Sequence, residues 1–328
     1  MKDLLKENQI TKLLGIRYPI IEGGMAQIGD GNLAAAISNE GGFGQIAISG
    51  MSPNKFRQEL ELAASKTSLP FGVNIPISGH FSYNEYFDVI EENKELISAV
   101  SLSSGDPRSY IPFFKNLGLK VMVVVGTVKH ARNAEKAGAD IVICEGFEAG
   151  GRNSPYELTL FSLIPQVRRA VQIPVVAAGG ISSGQGMLAA LVLGADGVQI
   201  GTRFIATKEC IAHESYKQLL VDSNDSDTTI MERSIGGVNR VVKSNYVDGV
   251  LQLEKQAISF QELFPYINGY KNKLGALQGN LEEGWVHAGQ SVGLIDSIVS
   301  VEELFVQIMQ ELKQSHQSLF QNVEQILK

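Results

Sequence analysis

The sequence holds only two cysteines, Cys144 and Cys210, in unrelated contexts and with no CxxC pair. That count excludes a disulfide framework and a zinc site, and it makes a reducing compartment the natural home. Basic residues are in deficit as well. The chain has 28 Lys and Arg against 35 Asp and Glu, a formal charge of −7. An acidic chain has no electrostatic grip on nucleic-acid backbones or anionic lipid. Long apolar runs are missing too. The longest charge-free stretch, Ala170–Ala195, is interrupted by Gln172, Pro174, Ser182, Ser183, Gln185 and several glycines, so it does not read as a membrane span. The first residues, Met1–Asn8, carry charges every few positions and no apolar segment of the secretory kind. The expectation is a cytoplasmic protein with neither membrane nor nucleic-acid partners.

What the chain does have is apolar residues, 44% of the total, and glycine, 34 of 328 residues. The first supplies a large core and excludes disorder as the main state. Apolar runs of strand length recur at Tyr18–Ile21, Gly42–Ile48, Pro70–Ile77, Ile97–Leu102, Lys120–Val125, Ala139–Cys144, Pro174–Ala178 and Gly197–Gly201. Helical patterns separate them: Asn32–Glu40, Pro53–Lys66, Ser82–Lys94, Ile111–Gly118, Val128–Ala137, Phe161–Ala170 and Gly184–Leu193. Several of these stop at Gly118, Gly138 or Gly194, where a C-terminal glycine belongs. The strands are rich in Val and Ile with little polar alternation, the mark of burial on both faces. Eight βα units fit an α/β fold of the (β/α)8 TIM-barrel type. An open doubly wound sheet would carry its glycine turn after the first strand, whereas here glycines close several strands. The barrel is expected over residues 1–205, completed by C-terminal helices within 297–328. Residues 206–296 read as a smaller, mostly helical lobe over the barrel mouth. Apolar positions in Val301–Leu327 repeat at helical spacing and suit a helix that closes the barrel.

Barrel sites lie at the C-terminal strand ends. Strand 1 ends in Glu22-Gly23-Gly24-Met25-Ala26, strand 3 carries Asn74 with His80 shortly beyond, and strand 6 ends in Glu145-Gly146-Phe147-Glu148-Ala149-Gly150-Gly151-Arg152. Strands 7 and 8 end in Gly179-Gly180 and Gly201-Thr202, the places where barrels seat a phosphate on backbone N–H groups. One Gly-Gly pair serves equally well as a plain tight turn; two sites on the two expected strands favour phosphate. Gly23-Gly24 lets a flat ring approach the backbone across the mouth, and Asn74, Glu145 and Gln199 can hydrogen-bond its polar edge. That combination fits flavin mononucleotide, although sugar phosphates use the same rim.

Other barrel chemistries lack their residues. A Schiff-base aldolase needs a lysine at a strand's C-terminal end, and Lys120 opens strand 5 instead. Metal hydrolases need clustered His and Asp, but the five histidines, His80, His130, His213, His287 and His316, are scattered. No metal site is expected. A glycosidase pair of Glu22 and Glu145 lacks a nearby aromatic platform, and the one tryptophan, Trp285, lies in the outer lobe.

Five ordered segments, Tyr18-Pro19-Ile20-Ile21-Glu22-Gly23-Gly24-Met25-Ala26, Gly72-Val73-Asn74, Glu145 to Gly151, Ala177-Ala178-Gly179-Gly180-Ile181 and Gln199-Ile200-Gly201-Thr202-Arg203-Phe204, resemble the nitronate monooxygenase (2-nitropropane dioxygenase) family. That family includes FMN-dependent enoyl-acyl-carrier-protein reductase II, and the outer-lobe segment Glu283 to Ile295 is similar to that branch. The resemblance implies a barrel with non-covalent FMN, held by Gly23, Gly24, Met25, Asn74, Glu145, Gly179, Gly180, Gly201 and Thr202, with Gly150 and Gly151 on the ring side. It implies a small nitronate or enoyl thioester as substrate. NAD(P)H as co-substrate and acyl carrier protein as partner belong to the reductase branch, and the sequence leaves the oligomeric state open, a homodimer being one option.

One departure stands out. In both branches the glycine pair matching Gly150-Gly151 is usually followed by a catalytic histidine, and here the residue is Arg152. Arginine keeps its proton, so it serves as neither base nor ready acid. Arg152 has two readings: it holds an anionic or carbonyl oxygen near the flavin, or it is a solvated or phosphate-directed loop residue with no chemical role. A nitronate is already deprotonated and needs no base, whereas neutral nitroalkanes should be poor substrates. An enoyl reductase would need another proton donor, for which His80 and Tyr156 are the candidates. The leading expectation is FMN-dependent nitronate oxidation with O2. Enoyl reduction by NAD(P)H is the alternative, and a flavin-binding protein with neither activity is the second.

Overall fold

The described residues hold eleven strands, most of them rich in β-branched and small apolar residues: β1 (Ile20–Glu22), β2 (Gly44–Ala47), β3 (Phe71–Pro76), β4 (Ala99–Ser103), β5 (Lys120–Val125), β6 (Ile141–Glu145), β7 (Gly151–Arg152), β8 (Val175–Ala178), β9 (Gly197–Ile200), β10 (Thr228–Met231) and β11 (Asn239–Val242). The structure is a computed structural model that describes residues 8–77, 82–256 and 258–327. Eight strands form one parallel sheet in the order β1-β9-β8-β6-β5-β4-β3-β2. A parallel bridge between Ile21 and Phe43 joins its two ends. There the Glu22 N–H donates to Phe43 O, and the Phe43 N–H donates to Ile20 O, both at 2.9 Å. The (β/α)8 barrel is the expected one, and each of the eight strand expectations overlaps an observed strand.

Short polar residues start the intervening helices by accepting otherwise unpaired N–H groups. Asp30 Oδ1 accepts from Leu33 N at 2.9 Å ahead of Gly31–Asn39, and Thr127 Oγ1 from His130 N at 3.1 Å ahead of Val128–Lys136. Outward-facing Ile46, Val73, Ile75, Val100, Val123, Val142 and Val198 pack against helix residues such as Leu33, Leu60, Leu163 and Met187. The helix Val301–Ile326 begins with a capping box of Ser300 and Glu303. Its first half buries Leu304, Phe305, Ile308 and Leu312 and lies against the helix Gly184–Val192.

Inside the barrel the side chains change character from one end to the other. Ile10 and Leu14, on the helix Gln9–Leu14, join Ile21, Phe43, Ala99, Met122, Ile141, Ile143 and Val176 in an apolar plug. Towards the C-terminal ends the same inward-facing register brings Gln45, Asn74, Ser101, Glu145 and Gln199. The barrel is therefore a packed core below and a polar floor above.

Residues after β9 cover the mouth. This region carries the helices Glu214–Asp222, Asn245–Glu254, Phe260–Ile267 and Gly269–Gln278. It also holds a small antiparallel sheet, ordered β10-β11-β7, that composition did not announce. Thr228 and Thr229 open β10. The third strand, β7, comes from the loop after β6, so the barrel and its cover share a sheet. No helix among the described residues is long and apolar enough to cross a membrane.

Candidate active site

The polar floor, the strand-end loops and the covering region enclose a cavity of about 330 Å³. Gly23, Gly24 and Met25 line it from the end of β1, Asn74 from β3, and Glu145 from β6. Gly150, Gly151 and Arg152 come from the loop after β6, Gly179 and Gly180 from the end of β8, Gln199 from β9, and Gly201 and Thr202 from the turn that follows. Thirteen of the fourteen site residues expected from sequence thus meet in one place. The fourteenth, His80, lies outside the described residues. Tyr156, the other candidate proton donor, is 67% exposed and is not in the cavity wall. Of the carboxylate pair weighed for a glycosidase, Glu22 is fully buried away from the cavity.

Glycine serves two purposes at this rim. Gly179 and Gly180 have φ of +100° and +68°, left-handed backbone that a side chain would strain. Gly150 is required for packing: a β-carbon there would stand 2.7 Å from Ala288 C and 2.8 Å from Gly289 N. The covering segment lies directly on the loop after β6, and Gly289 N–H donates to Thr202 Oγ1 at 2.9 Å. Thr202 therefore ties cover to barrel through its oxygen while its hydroxyl hydrogen stays available.

On the floor, Asn74 Nδ2 donates to Ser101 Oγ at 2.9 Å, and Gln199 Nε2 donates to Glu22 O at 3.1 Å. The Glu145 carboxyl has no hydrogen-bond partner among the described residues, and burial pushes it up to about 8. At neutral pH it is mostly a neutral acid.

The covering region adds a group that sequence reading left among scattered residues. Val241 of β11 bridges to His287 on the same edge that pairs with Gly151 and Arg152. The imidazole thus comes to lie beside Gly151, where an added β-carbon would be 3.9 Å from its Cδ2. His287 Nε2 is 3.1 Å from Asn239 Oδ1, and Asn239 Nδ2 donates to Glu232 Oε1 at 2.9 Å. Because that amide nitrogen is spent on a carboxylate, Asn239 presents its oxygen to the ring, so Nε2 carries the hydrogen and Nδ1 is left with its lone pair. Glu232, 2% exposed, also meets Arg152 Nη2 at 3.1 Å. Burial, and secondarily the Arg152 charge, pushes His287 down to about 4, so the ring is neutral at working pH.

The sequence profile described as nitronate monooxygenase matches residues 7–311. The chain belongs to the nitronate monooxygenase family. A probable nitronate monooxygenase of Staphylococcus haemolyticus is 32% identical, over 93% of this chain and 97% of that protein. Among solved structures, FabK of Thermotoga maritima matches with a TM-score of 0.89 and 38% identity, covering 96% of this chain and 99% of the other. A nitroalkane oxidase of Streptomyces ansochromogenes matches with a TM-score of 0.83 and 27% identity, covering 94% and 99%.

For this member of the nitronate monooxygenase family, the arginine at 152 is a structural as well as an electrostatic feature. Arg152 sits in β7 opposite Asn239, and its side chain remains 67% exposed after the contact with Glu232. Its other guanidinium N–H groups have no partner among the described residues, and Arg152 is one of the residues lining the cavity. Glu232, Asn239 and His287 carry no motif of their own. The only sequence signal was the ordered segment Glu283 to Ile295, which contains His287.

Proposed function

We propose that this chain is an FMN-dependent oxidoreductase that oxidises alkyl nitronates with O2. The observation that carries the reading is the cavity itself: a glycine-rich rim after β8 and β9, a polar floor, and the partly exposed Arg152 among the lining residues, paired on one side with Glu232. The residues fit a flavin phosphate and ring. Gly179, Gly180, Gly201 and Thr202 would hold the phosphate through backbone N–H groups and one hydroxyl. Asn74 and Gln199 would meet the polar edge of the ring beside Gly23, Gly24 and Met25, and the neutral Glu145 would donate to a ring acceptor. Trp285 lines the same cavity. FMN, when bound, supplies two-electron chemistry towards the nitronate and towards oxygen. Arg152 contributes the charge complement for an anionic substrate.

A second reading, reduction of an enoyl thioester by NAD(P)H with acyl carrier protein as partner, draws on the likeness to FabK, the enoyl-acyl-carrier-protein reductase II of its branch. The two are separated by one experiment. Purified protein is expected to be yellow, and ethyl nitronate added without oxygen is expected to bleach the flavin band. A band that ignores nitronate but bleaches with NADH and reoxidises with an enoyl thioester establishes the second reading. No flavin after reconstitution with FMN overturns both.

Trp285 supplies an independent check on where the flavin sits. It is the single tryptophan of the chain, so all indole emission comes from the cavity wall. FMN titrated into flavin-free protein is expected to quench that emission saturably. Flavin binding without quenching would put the cofactor elsewhere.

A further inference from the structure

The helix Val301–Ile326 runs for 26 residues, and its buried residues all fall in the first half. From Lys313 to Leu327 every residue except Ser315 is exposed. The apolar residues of this second half nevertheless keep to one face. Leu312, His316, Leu319, Val323 and Ile326 are spaced alternately four and three apart, the interval of a helix seam that pairs with another helix. Phe320 and Leu327 widen the seam on one side. Phe320 is 60% exposed, Ile326 82% and Leu327 80%. A helical extension of about a dozen residues is marginal in water by itself, and the Ser, His, Phe, Asn and Val in this one are weak helix formers. Its apolar face calls for a cover.

We infer that the seam from His316 to Leu327 packs against the same seam of a second copy of this chain, about a two-fold axis. The area is sufficient. Leu319, Phe320, Val323, Ile326 and Leu327 expose on the order of 500 Å², so two copies bury about 1,000 Å² or more with their polar flanks, the threshold for a specific interface. The charge pattern selects the partner. Between Gln314 and Leu327 the only Asp, Glu, Lys or Arg is Glu324, and it lies off the seam. Two copies therefore meet there without like charges in contact, although each chain carries −7 overall. A lipid surface would call for lysine or arginine on the polar face, and this stretch has neither. His316 is the single polar residue in the seam, the device by which paired helices fix their register. No residue of this helix lines the cavity, so pairing leaves the site untouched.

Sedimentation equilibrium of the full chain tests this. At micromolar concentration the unmutated protein is expected at twice the 35.5 kDa of one chain. The double variant Val323→Glu, Ile326→Glu places four carboxylates in the paired seam, and its dimer dissociation constant is expected to rise about a hundred-fold or more. Both positions are exposed in the single chain, so circular dichroism and melting temperature should match the unmutated protein at concentrations where both are monomeric. Gln317→Glu with Gln321→Glu adds the same charge on the opposite face of the helix and is expected to leave the dimer intact. A monomeric unmutated protein overturns the proposal, as does a dimer that the seam variant leaves unchanged. Equal dissociation by the opposite-face pair overturns it too. So does a monomer that sediments with phosphatidylcholine–phosphatidylglycerol vesicles, which would give the face to a lipid surface.

Discussion

Gly201→Asp is expected to yield a folded, colourless protein. Gly201 has φ of −112°, which any residue adopts, and a β-carbon there would meet nothing closer than Met25 at 4.0 Å. Folding therefore has no reason to suffer. The new carboxylate stands on the rim assigned to the flavin phosphate. Two like charges about 4 Å apart repel by about 4 kcal/mol at an effective dielectric of about 20, so flavin affinity should fall about a thousand-fold or more. Gly201→Ala, with the same β-carbon and no charge, should keep its flavin. The absorbance ratio of flavin to protein after purification, with circular dichroism for folding, reads both outcomes. Normal flavin content in Gly201→Asp would move the phosphate off this rim. The corresponding change at Gly180 is a poorer probe. Its left-handed backbone, and a β-carbon position 3.1 Å from Glu148 Cβ, would strain the fold with or without a ligand.

The barrel was legible because its signals are local and repeated. Strands buried on both faces leave continuous apolar runs, and Gly118, Gly138 and Gly194 do end helices with left-handed backbone. The small sheet over the mouth escaped because each strand is only two to four residues long and its apolar content is low. β7 is Gly-Arg, a pair with no strand tendency, and it is extended because the edge of β11 offers it hydrogen bonds. Such pairing is non-local and leaves no period to read.

The site divides along the same line. Residues on the rim announced themselves through glycine pairs at strand ends, where backbone must be bare. His287 did not, because a lone histidine in a lobe is most often a packed or solvated residue, and its meaning comes from Asn239 and Glu232, 48 and 55 positions away. Gly150 shows the limit of motif reading from the other side. It was assigned to the flavin ring, and it does line the cavity, but its missing side chain is needed by Ala288 and Gly289.

Glu145→Gln is expected to stabilise the flavin-free protein, and to do so more as pH rises. The folded state holds the Glu145 proton up to about 8, whereas the ordinary value is 4.5. Between those values the folded chain binds a proton that the unfolded chain has released, so stability falls as pH climbs through the window and levels off above it. Each unit of difference is worth about 1.4 kcal/mol, and with water in the cavity softening the burial, a gain of about 2–4 kcal/mol above pH 8 is reasonable for the variant. Glutamine keeps the shape and has no proton to lose. Melting curves from pH 5 to 9 should start together and separate by roughly 5 °C or more at the alkaline end. Parallel curves would mean that Glu145 ionises normally. The same window should govern flavin affinity, because a carboxylic acid donates to a ring acceptor and a carboxylate repels it. Wild-type affinity is expected to decline above pH 8, while the glutamine amide, still a donor, holds its affinity across the range.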